Sequence, residues 1–257
     1  MEHETEPAAP GVTVVTGASA GLGRALCAEL LGQGAIVAGI ARSQEPLTEI
    51  AAAHPGRFLP LPIDVADPGA VAEAFARIRA DLGPVATLVN NAAVYPHRDI
   101  LDETPESFDR TLQVNLGGMV ACTAEALRDM VPRGTGRIVN VTTHAGEAPA
   151  PLAAAYSVSK GACRIYTRAL LADLGDRFPD IVITEWIPGA LNTAMGLPEG
   201  IDPQEAARWG VRLARMTDRG ISGLTFERDR SVPPPMGLKR RLVNRFLGQR
   251  VRVIRLD

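Results

Sequence analysis

Tyr156 and Lys160 lie four residues apart in AYSVSKGA, and this spacing is the first in the 257-residue sequence that suggests chemistry. On a helix, positions i and i+4 share one face. A free tyrosine titrates near pH ~10, too high for easy proton exchange at neutral pH. An ammonium held beside it favours the phenolate and lowers that value, so the pair can serve as a tuned acid/base. A Tyr-x3-Lys pair by itself is common, and its plain alternative is an amphipathic surface pair. Here the lysine is one of only two in the chain, the other being Lys239. Thr143 stands 13 residues upstream of Tyr156, at the C-terminal end of an apolar β-rich run, where open parallel sheets bind ligands.

A second constellation is the loop Thr16–Gly17–Ala18–Ser19–Ala20–Gly21–Leu22–Gly23. It directly follows the apolar run Val12–Gly17 and opens a helical stretch, Leu22–Gly32. Glycine permits positive φ and close backbone approach to a phosphate. The helix that follows offers unpaired N–H groups and the positive end of its dipole to a pyrophosphate. A glycine cluster alone could equally be a tight structural turn. Its place between the first strand and first helix favours a dinucleotide site.

Both constellations need a scaffold, and the chain supplies an alternating one. Strands are expected at Val12–Gly17, Ala35–Ile40, Arg57–Asp64, Thr87–Ala93, Arg137–Thr143, Ile181–Gly189 and Gly223–Arg228. Helices are expected at Leu22–Gly32, Leu47–Ala53, Pro68–Leu82, Thr104–Met130, Ala153–Phe178 and Asp202–Met216. This alternation implies βαβ units, and near-continuous apolar strands imply helices on both faces. The expected fold is α/β: a Rossmann-like, doubly wound parallel sheet of about seven strands, with ligands at the strands' C-terminal ends. Residues 1–10 read as a disordered acidic tail, 11–228 as the single catalytic domain and 229–257 as a basic C-terminal extension.

Composition narrows the class. Apolar residues are 46% of the chain, which is core-forming and not disordered. The net charge is −2, so no nucleic-acid partner is expected. No apolar run reaches membrane-spanning length, and the start MEHETEPAAP is unlike a targeting peptide. Cys27, Cys122 and Cys163 form no CxxC pair and read as buried apolar residues in a reducing compartment. No membrane contact and no metal site are expected, and a cytoplasmic location is the default.

Taken together, these motifs resemble the short-chain dehydrogenase/reductase family in its single-domain branch, over about residues 11–227. Thr16–Gly23 resembles the TGxxxGxG cofactor loop. Asp64–Val65 resembles the adenine-contacting Asp segment, and Asn90–Asn91–Ala92–Ala93 resembles NNAG with Ala93 for the usual Gly. Asn115 in QVNLGG matches the helix Asn of the catalytic tetrad, and Tyr156 and Lys160 match YxxxK. Pro188–Gly189, with Thr193 four residues on, resembles PGxxxT. One further departure matters: Thr143 stands in place of the usual serine, and its extra methyl restricts χ1 and narrows the pocket.

The resemblance implies roles. Tyr156 gives the proton to a carbonyl oxygen or takes it back, Thr143 hydrogen-bonds that oxygen, and Lys160 holds ribose hydroxyls. Asn115 holds a relay water. Gly17, Ser19, Gly21, Leu22, Gly23, Arg42, Ser43, Asp64, Val65, Asn91, Ala92, Tyr156, Lys160, Pro188, Gly189, Leu191 and Thr193 contact a nicotinamide dinucleotide. NADP(H) is expected: Ala41 stands where an acid would bind the ribose, and Arg42 suits a 2′-phosphate. The expected activity is interconversion of a small-molecule ketone and secondary alcohol, as a carbonyl reductase. The alternative is a catalytically weak protein of the same fold used as a cofactor sensor or regulator, and a sugar epimerase or dehydratase is disfavoured. Substrate-side candidates are Tyr95, His97, Arg98, His144, Glu147 and Met195. The short segment between Thr193 and Asp202 implies an open site. A homodimer or homotetramer is expected, with the basic residues Lys239, Arg240, Arg241, Arg245, Arg250, Arg252 and Arg255 packing against the body or a second subunit.

Overall fold

Every residue of β1 (Val12–Thr16) is buried, and so is every residue of β2 (Val37–Ala41) and β4 (Val85–Asn90). Strands of this kind need cover on both faces. In the computed structural model, which describes residues 11–233 and 253–256, they have it. The remaining strands are β3 (Phe58–Pro62), β5 (Thr135–Val141), β6 (Asp180–Ile187), β7 (Thr225–Glu227) and β8 (Arg230–Val232). They form one sheet in the order β3-β2-β1-β4-β5-β6-β7-β8. Neighbours pair in parallel through β7, and β8 returns antiparallel to β7.

Helices α1 (Gly21–Gly32), α2 (Gln44–Ala53) and α7 (Pro203–Arg215) cover one face through Leu26, Leu47 and Val211. Helices α3 (Pro68–Asp81), α5 (Gly118–Arg133) and α6 (Ala154–Leu174) cover the other through Phe75, Cys122 and Leu170. The doubly wound parallel architecture is therefore as the sequence implied. The reversal in strand order lies at β1, between β2 and β4, where such sheets open a crevice at their C-terminal ends.

Several details differ from expectation. The helix expected over Thr104–Met130 is two helices, α4 (Pro105–Leu112) and α5, joined by a π-helical turn at Gln113–Gly117. Helix α2 begins at Gln44 rather than Leu47, with Pro46 tolerated in its first turn. An eighth strand adds to the seven. Residues 253–256 extend its pairing, with Ser231 N–H donating to the Ile254 carbonyl at 2.8 Å and Leu256 N–H to the Asp229 carbonyl at 2.6 Å. The expected tail 1–10 and residues 234–252 and 257 of the expected extension lie outside the described residues.

Capping divides the helices by task. Asp67 caps α3 by accepting from Gly69 and Ala70 N–H at 2.9 and 3.1 Å. Thr104 and Ser107 form a capping box on α4, and Asp202 caps α7. Helices α1 and α6, which begin at the crevice, have Ala20 and Ala153 at the cap positions and no side-chain acceptor.

Candidate active site

The glycine loop leaves β1 with Gly17 at φ +71° and Gly21 at φ +50°. A methyl on Gly17 would sit 2.8 Å from Asn91 Nδ2, and one on Gly23 only 2.1 Å from the Gly17 carbonyl oxygen. One on Gly21 would meet Thr193 Cγ2 at 3.2 Å. These glycines therefore let three segments close on one another: the loop, the Asn91–Ala92 turn after β4 and the Thr193 segment after β6. Thr16, which the sequence reading used only as part of the motif, is the hub. Its Oγ1 accepts from the N–H of both Asn91 and Ala92 at 2.9 Å, and its carbonyl accepts from Asn91 Nδ2 at 2.9 Å. With α1 uncapped by any side chain, the N–H groups of Gly21, Leu22 and Gly23 lie where a pyrophosphate needs them. The residues present fit a nicotinamide dinucleotide.

Not every expected cofactor contact is a side-chain contact. Leu22, Val65, Pro188 and Leu191 are buried, so they can face a ligand only through backbone or a sliver of surface. Val65 packs on Gly118, whose Cβ would lie 2.7 Å from Val65 Cγ2. The Asp64 carboxylate accepts from Ala66 N–H at 3.0 Å and is ion-paired with Arg110 of α4. Burial would raise its pKa, but Ala66, Arg110 and the charge of Arg42 outweigh it and hold the carboxyl low. Arg110 is a cation at this end of the crevice that no local motif marked. Arg42 and Ser43 are exposed just past the end of β2, and Ala41, its last residue, is buried.

The expected acid/base residues gather near the end of β5. Thr143, one residue beyond a buried Thr142, takes an extended backbone; its Oγ1 accepts from Ala145 N–H at 3.4 Å, and the hydroxyl lies near enough to the Tyr156 phenol to oppose the rise in its pKa. Lys160, one turn further along α6, is buried, and its Nζ donates to the Val141 carbonyl at 2.9 Å. The shift at Tyr156 runs opposite to expectation. Burial pushes the phenol up to about 12, Tyr95 and Cys163 add to this, and the Thr143 hydrogen bond works against it. Burial also lowers the pKa of Lys160. Its ammonium is spent on a backbone carbonyl and is not among the groups that lower Tyr156.

Asn115 sits in the π-helical turn, a distortion frequent at functional positions. Its side chain grips Val94 on both sides: Oδ1 accepts from Val94 N–H at 2.7 Å and Nδ2 donates to the Val94 carbonyl at 3.0 Å. Nδ2 also donates to Ser159 Oγ at 2.9 Å, and Ser159 Oγ donates to the Tyr156 carbonyl at 2.7 Å. Its backbone carbonyl accepts from Cys163 Sγ at 3.3 Å. The sequence reading missed Ser159, although it lies within the YxxxK segment.

The substrate-side candidates separate. Tyr95 meets Tyr156 with ring centroids 4.3 Å apart, and His97 meets Tyr95 at the same separation. His144 Nε2 pairs with Glu227 Oε1 at 3.1 Å, spanning from the end of β5 to the end of β7. Glu147 is drawn elsewhere: it pairs with Arg164 at 3.0 Å, and Arg164 reaches the buried Glu185 at 3.3 Å. Arg98 pairs with Glu103 at 2.7 Å. Met195 is exposed on a loop closed at its base by Leu191 and Ile201, where Asn192 N–H donates to the Ile201 carbonyl and Ile201 N–H to the Ala190 carbonyl, both at 2.9 Å. Among the described residues no helix is long and apolar enough to cross a membrane.

A strand–glycine–helix cradle beside a Thr–Tyr–Lys acid/base cluster at the ends of a parallel sheet defines a nicotinamide-dependent oxidoreductase. A family model described as short chain dehydrogenase matches residues 11–202. A carbonyl reductase [NADPH] 2 of Sus scrofa is 36% identical over 196 residues, covering 76% of this chain and 78% of that protein. The L-xylulose reductase of Homo sapiens is 33% identical over 194 residues, 75% of this chain and 77% of that one. A short chain dehydrogenase structure from Bacillus anthracis superposes with a TM-score of 0.79 at 21% identity, covering 84% of this chain and 94% of that one, and shows the shared fold. The chain belongs to the short-chain dehydrogenase/reductase family.

Proposed function

We propose that this protein is an NADP(H)-dependent oxidoreductase that interconverts a ketone and a secondary alcohol, working as a carbonyl reductase. The observation that carries the reading is the seating of the Tyr156–Lys160 pair at the end of β5, where buried Lys160 donates to the Val141 carbonyl and Thr143 lies two residues beyond, in a sheet whose β1 opens into the glycine cradle. The bound dinucleotide supplies hydride. Tyr156 gives its proton to the carbonyl oxygen, and Thr143 donates a hydrogen bond to the charge that develops there. The phenol's raised pKa keeps it protonated, the form reduction uses. Lys160 fixes the end of β5 and would hold the ribose hydroxyls of the bound dinucleotide, and Asn115 holds the loop that carries Tyr95.

The preference for NADP(H) rests on Arg42, next to an Ala41 that brings no carboxylate to repel a 2′-phosphate. A similar protein from Sus scrofa is named for NADPH. A charge-assisted contact contributes roughly 1.5–3 kcal/mol, about ten- to a hundredfold in affinity. The test is kcat/KM with NADPH and NADH over a panel of ketones. Arg42→Ala is expected to weaken NADPH by about ten- to a hundredfold and NADH little, and Ala41→Asp to move preference toward NADH. Equal use of both cofactors by the wild type would overturn the assignment. Buried Cys27, Cys122 and Cys163, all free, support a reducing, cytoplasmic setting. Exposed Val120 on α5 with Val158 and Ile165 on α6 support a homo-oligomer, which native mass spectrometry reads directly.

A further inference from the structure

Tyr95 is tied to the acid/base residue in two independent ways. The first is ring on ring: its centroid lies 4.3 Å from that of Tyr156, with the planes tilted by 34°. The same ring also meets His97 at 4.3 Å, so the Tyr95 ring is in contact with two others, one of them the phenol. The second tie runs through the backbone. The segment before Tyr95 is gripped at Val94 by Asn115, which reaches the Tyr156 carbonyl through Ser159. The segment after it is gripped at Arg98, whose N–H donates to the Leu152 carbonyl at 2.9 Å in a bridge to the start of α6.

Leu152 holds φ +60°, a left-handed conformation that a leucine adopts only under constraint. Pro96 stiffens the span between the two grips and biases Tyr95 toward extended backbone. Only Tyr95, Pro96 and His97 stand between the two pinned points. A ring so held has little freedom of its own, and it restricts the ring it touches. Aromatic pairs in such contact contribute about 0.5–1.5 kcal/mol beyond area burial. Around the phenol, the titratable groups are Tyr95 and Cys163, with the Thr143 hydroxyl acting against them, while Lys160, one turn along α6, is turned to the Val141 carbonyl. His97 lies one ring further out.

We propose that Tyr95 is a positioning residue for the reaction: its clamped ring holds the Tyr156 phenol in one orientation toward Thr143 and screens it from water. This rests on Tyr156 acting as the acid in carbonyl reduction. It assigns Tyr95 to the enzyme's own machinery, so substituting it changes turnover with every substrate rather than selecting among substrates. The ring is the working part, and phenylalanine should replace it.

The test compares Tyr95→Phe, Tyr95→Ala and Tyr95→Leu in the full-length protein, with Tyr156→Phe as reference. Diacetyl and acetophenone are the probes, with NADPH. Tyr95→Ala and Tyr95→Leu should lower kcat by at least tenfold, with NADPH affinity, read by fluorescence, within twofold of wild type. Tyr95→Phe should keep kcat within about threefold. The second readout needs no substrate: stopped-flow tyrosinate absorbance after a jump to alkaline pH, in a chain with only three tyrosines. The Tyr156 share, obtained by subtracting from each protein the same protein carrying Tyr156→Phe, should ionise at lower pH in Tyr95→Ala. Near-normal kcat in Tyr95→Ala, or loss of kcat in Tyr95→Phe matching that in Tyr95→Ala, overturns the proposal. If neither probe turns over, an unshifted Tyr156 ionisation in Tyr95→Ala overturns it. Full activity in Tyr156→Phe instead overturns the proposed reaction, and this assignment with it.

Discussion

Asn115 holds Val94 by both of its backbone polar groups, at 2.7 and 3.0 Å, as if it were one more residue of a ladder. A buried side-chain amide used in this way cannot be replaced by a smaller or apolar group without orphaning both backbone groups. Asn115→Ala should therefore free the loop after β4, which carries Tyr95, and break the link through Ser159 to Tyr156. The expected outcome is a kcat at least tenfold lower and a melting temperature several degrees lower. Asn115→Asp retains the acceptor for Val94 N–H but lacks both Nδ2 donations, and should be damaged as badly. Steady-state kinetics and thermal melts of the two variants check this.

Thr143 does two things at once. Its hydroxyl is the one group found to lower the Tyr156 pKa, and in the proposed reaction it also donates to the reacting oxygen. Thr143→Ser keeps the hydroxyl and loses only a methyl, so kcat should stay within about threefold and bulkier ketones should gain. Thr143→Val keeps the shape and loses the hydroxyl. The loss of a donor aimed at developing charge should lower kcat by roughly 10²–10³-fold. Removing the hydrogen bond should also move the Tyr156 ionisation further upward. A pH profile of kcat/KM for both variants separates the two effects.

The readable parts of this chain were those written in local pattern. Val12–Thr16, Val85–Asn90 and Asp180–Ile187 stand out because strands buried on both faces are short apolar runs. The glycine loop and YxxxK stand out because their spacing is fixed by one turn each. What escaped is long-range or sub-periodic. The π-helical turn at Gln113–Gly117 inserts into an otherwise unbroken helical pattern and leaves no mark on apolar periodicity. Arg110 reaches Asp64 across 46 residues, and Tyr95 reaches Tyr156 between two different loop–helix units. Strand β8 has three residues, too few to show a period. The direction of the Tyr156 shift was also misjudged, because spacing shows that a lysine is near but not that its ammonium is turned to Val141.

The turn after Thr143 is set by a glycine-to-glycine contact. A Cβ on Gly146 would lie 2.7 Å from Gly161 N, against backbone that has nowhere to move within α6. Gly161 adjoins Lys160, so the contact fixes the His144–Gly146 turn against the helix that carries the acid/base pair. Gly146→Ala should push that turn off α6 and displace Thr143 from Tyr156. We expect at least tenfold loss of kcat, a destabilisation of about 1–3 kcal/mol as for overpacking elsewhere, and little change in cofactor affinity. Chemical denaturation and NADPH titration give the two numbers.

Cys27 and Cys122 make stability fall at alkaline pH. Both thiols are fully buried, and burial raises each from 9.0 to about 12; the charge of Glu125 adds to the shift at Cys122. The unfolded chain ionises its thiols near 9, whereas the folded chain keeps them neutral until about 12. Between those values the unfolded state binds fewer protons, so stability declines as pH rises. Below about pH 9 the contribution is intact, and above about 12 the decline levels off. Each such group adds a slope of up to about 1.4 kcal/mol per pH unit within the window. Urea denaturation at a series of pH values from 7 to 11, under reducing conditions, reads that slope directly. Cys27→Ala should lower stability at pH 7, because a buried side chain is truncated. It should also flatten the alkaline decline, because one ionising thiol is gone. A Cys27→Ala protein whose stability falls as steeply with pH as the wild type would show that other groups, Tyr156 first among them, dominate the alkaline limb.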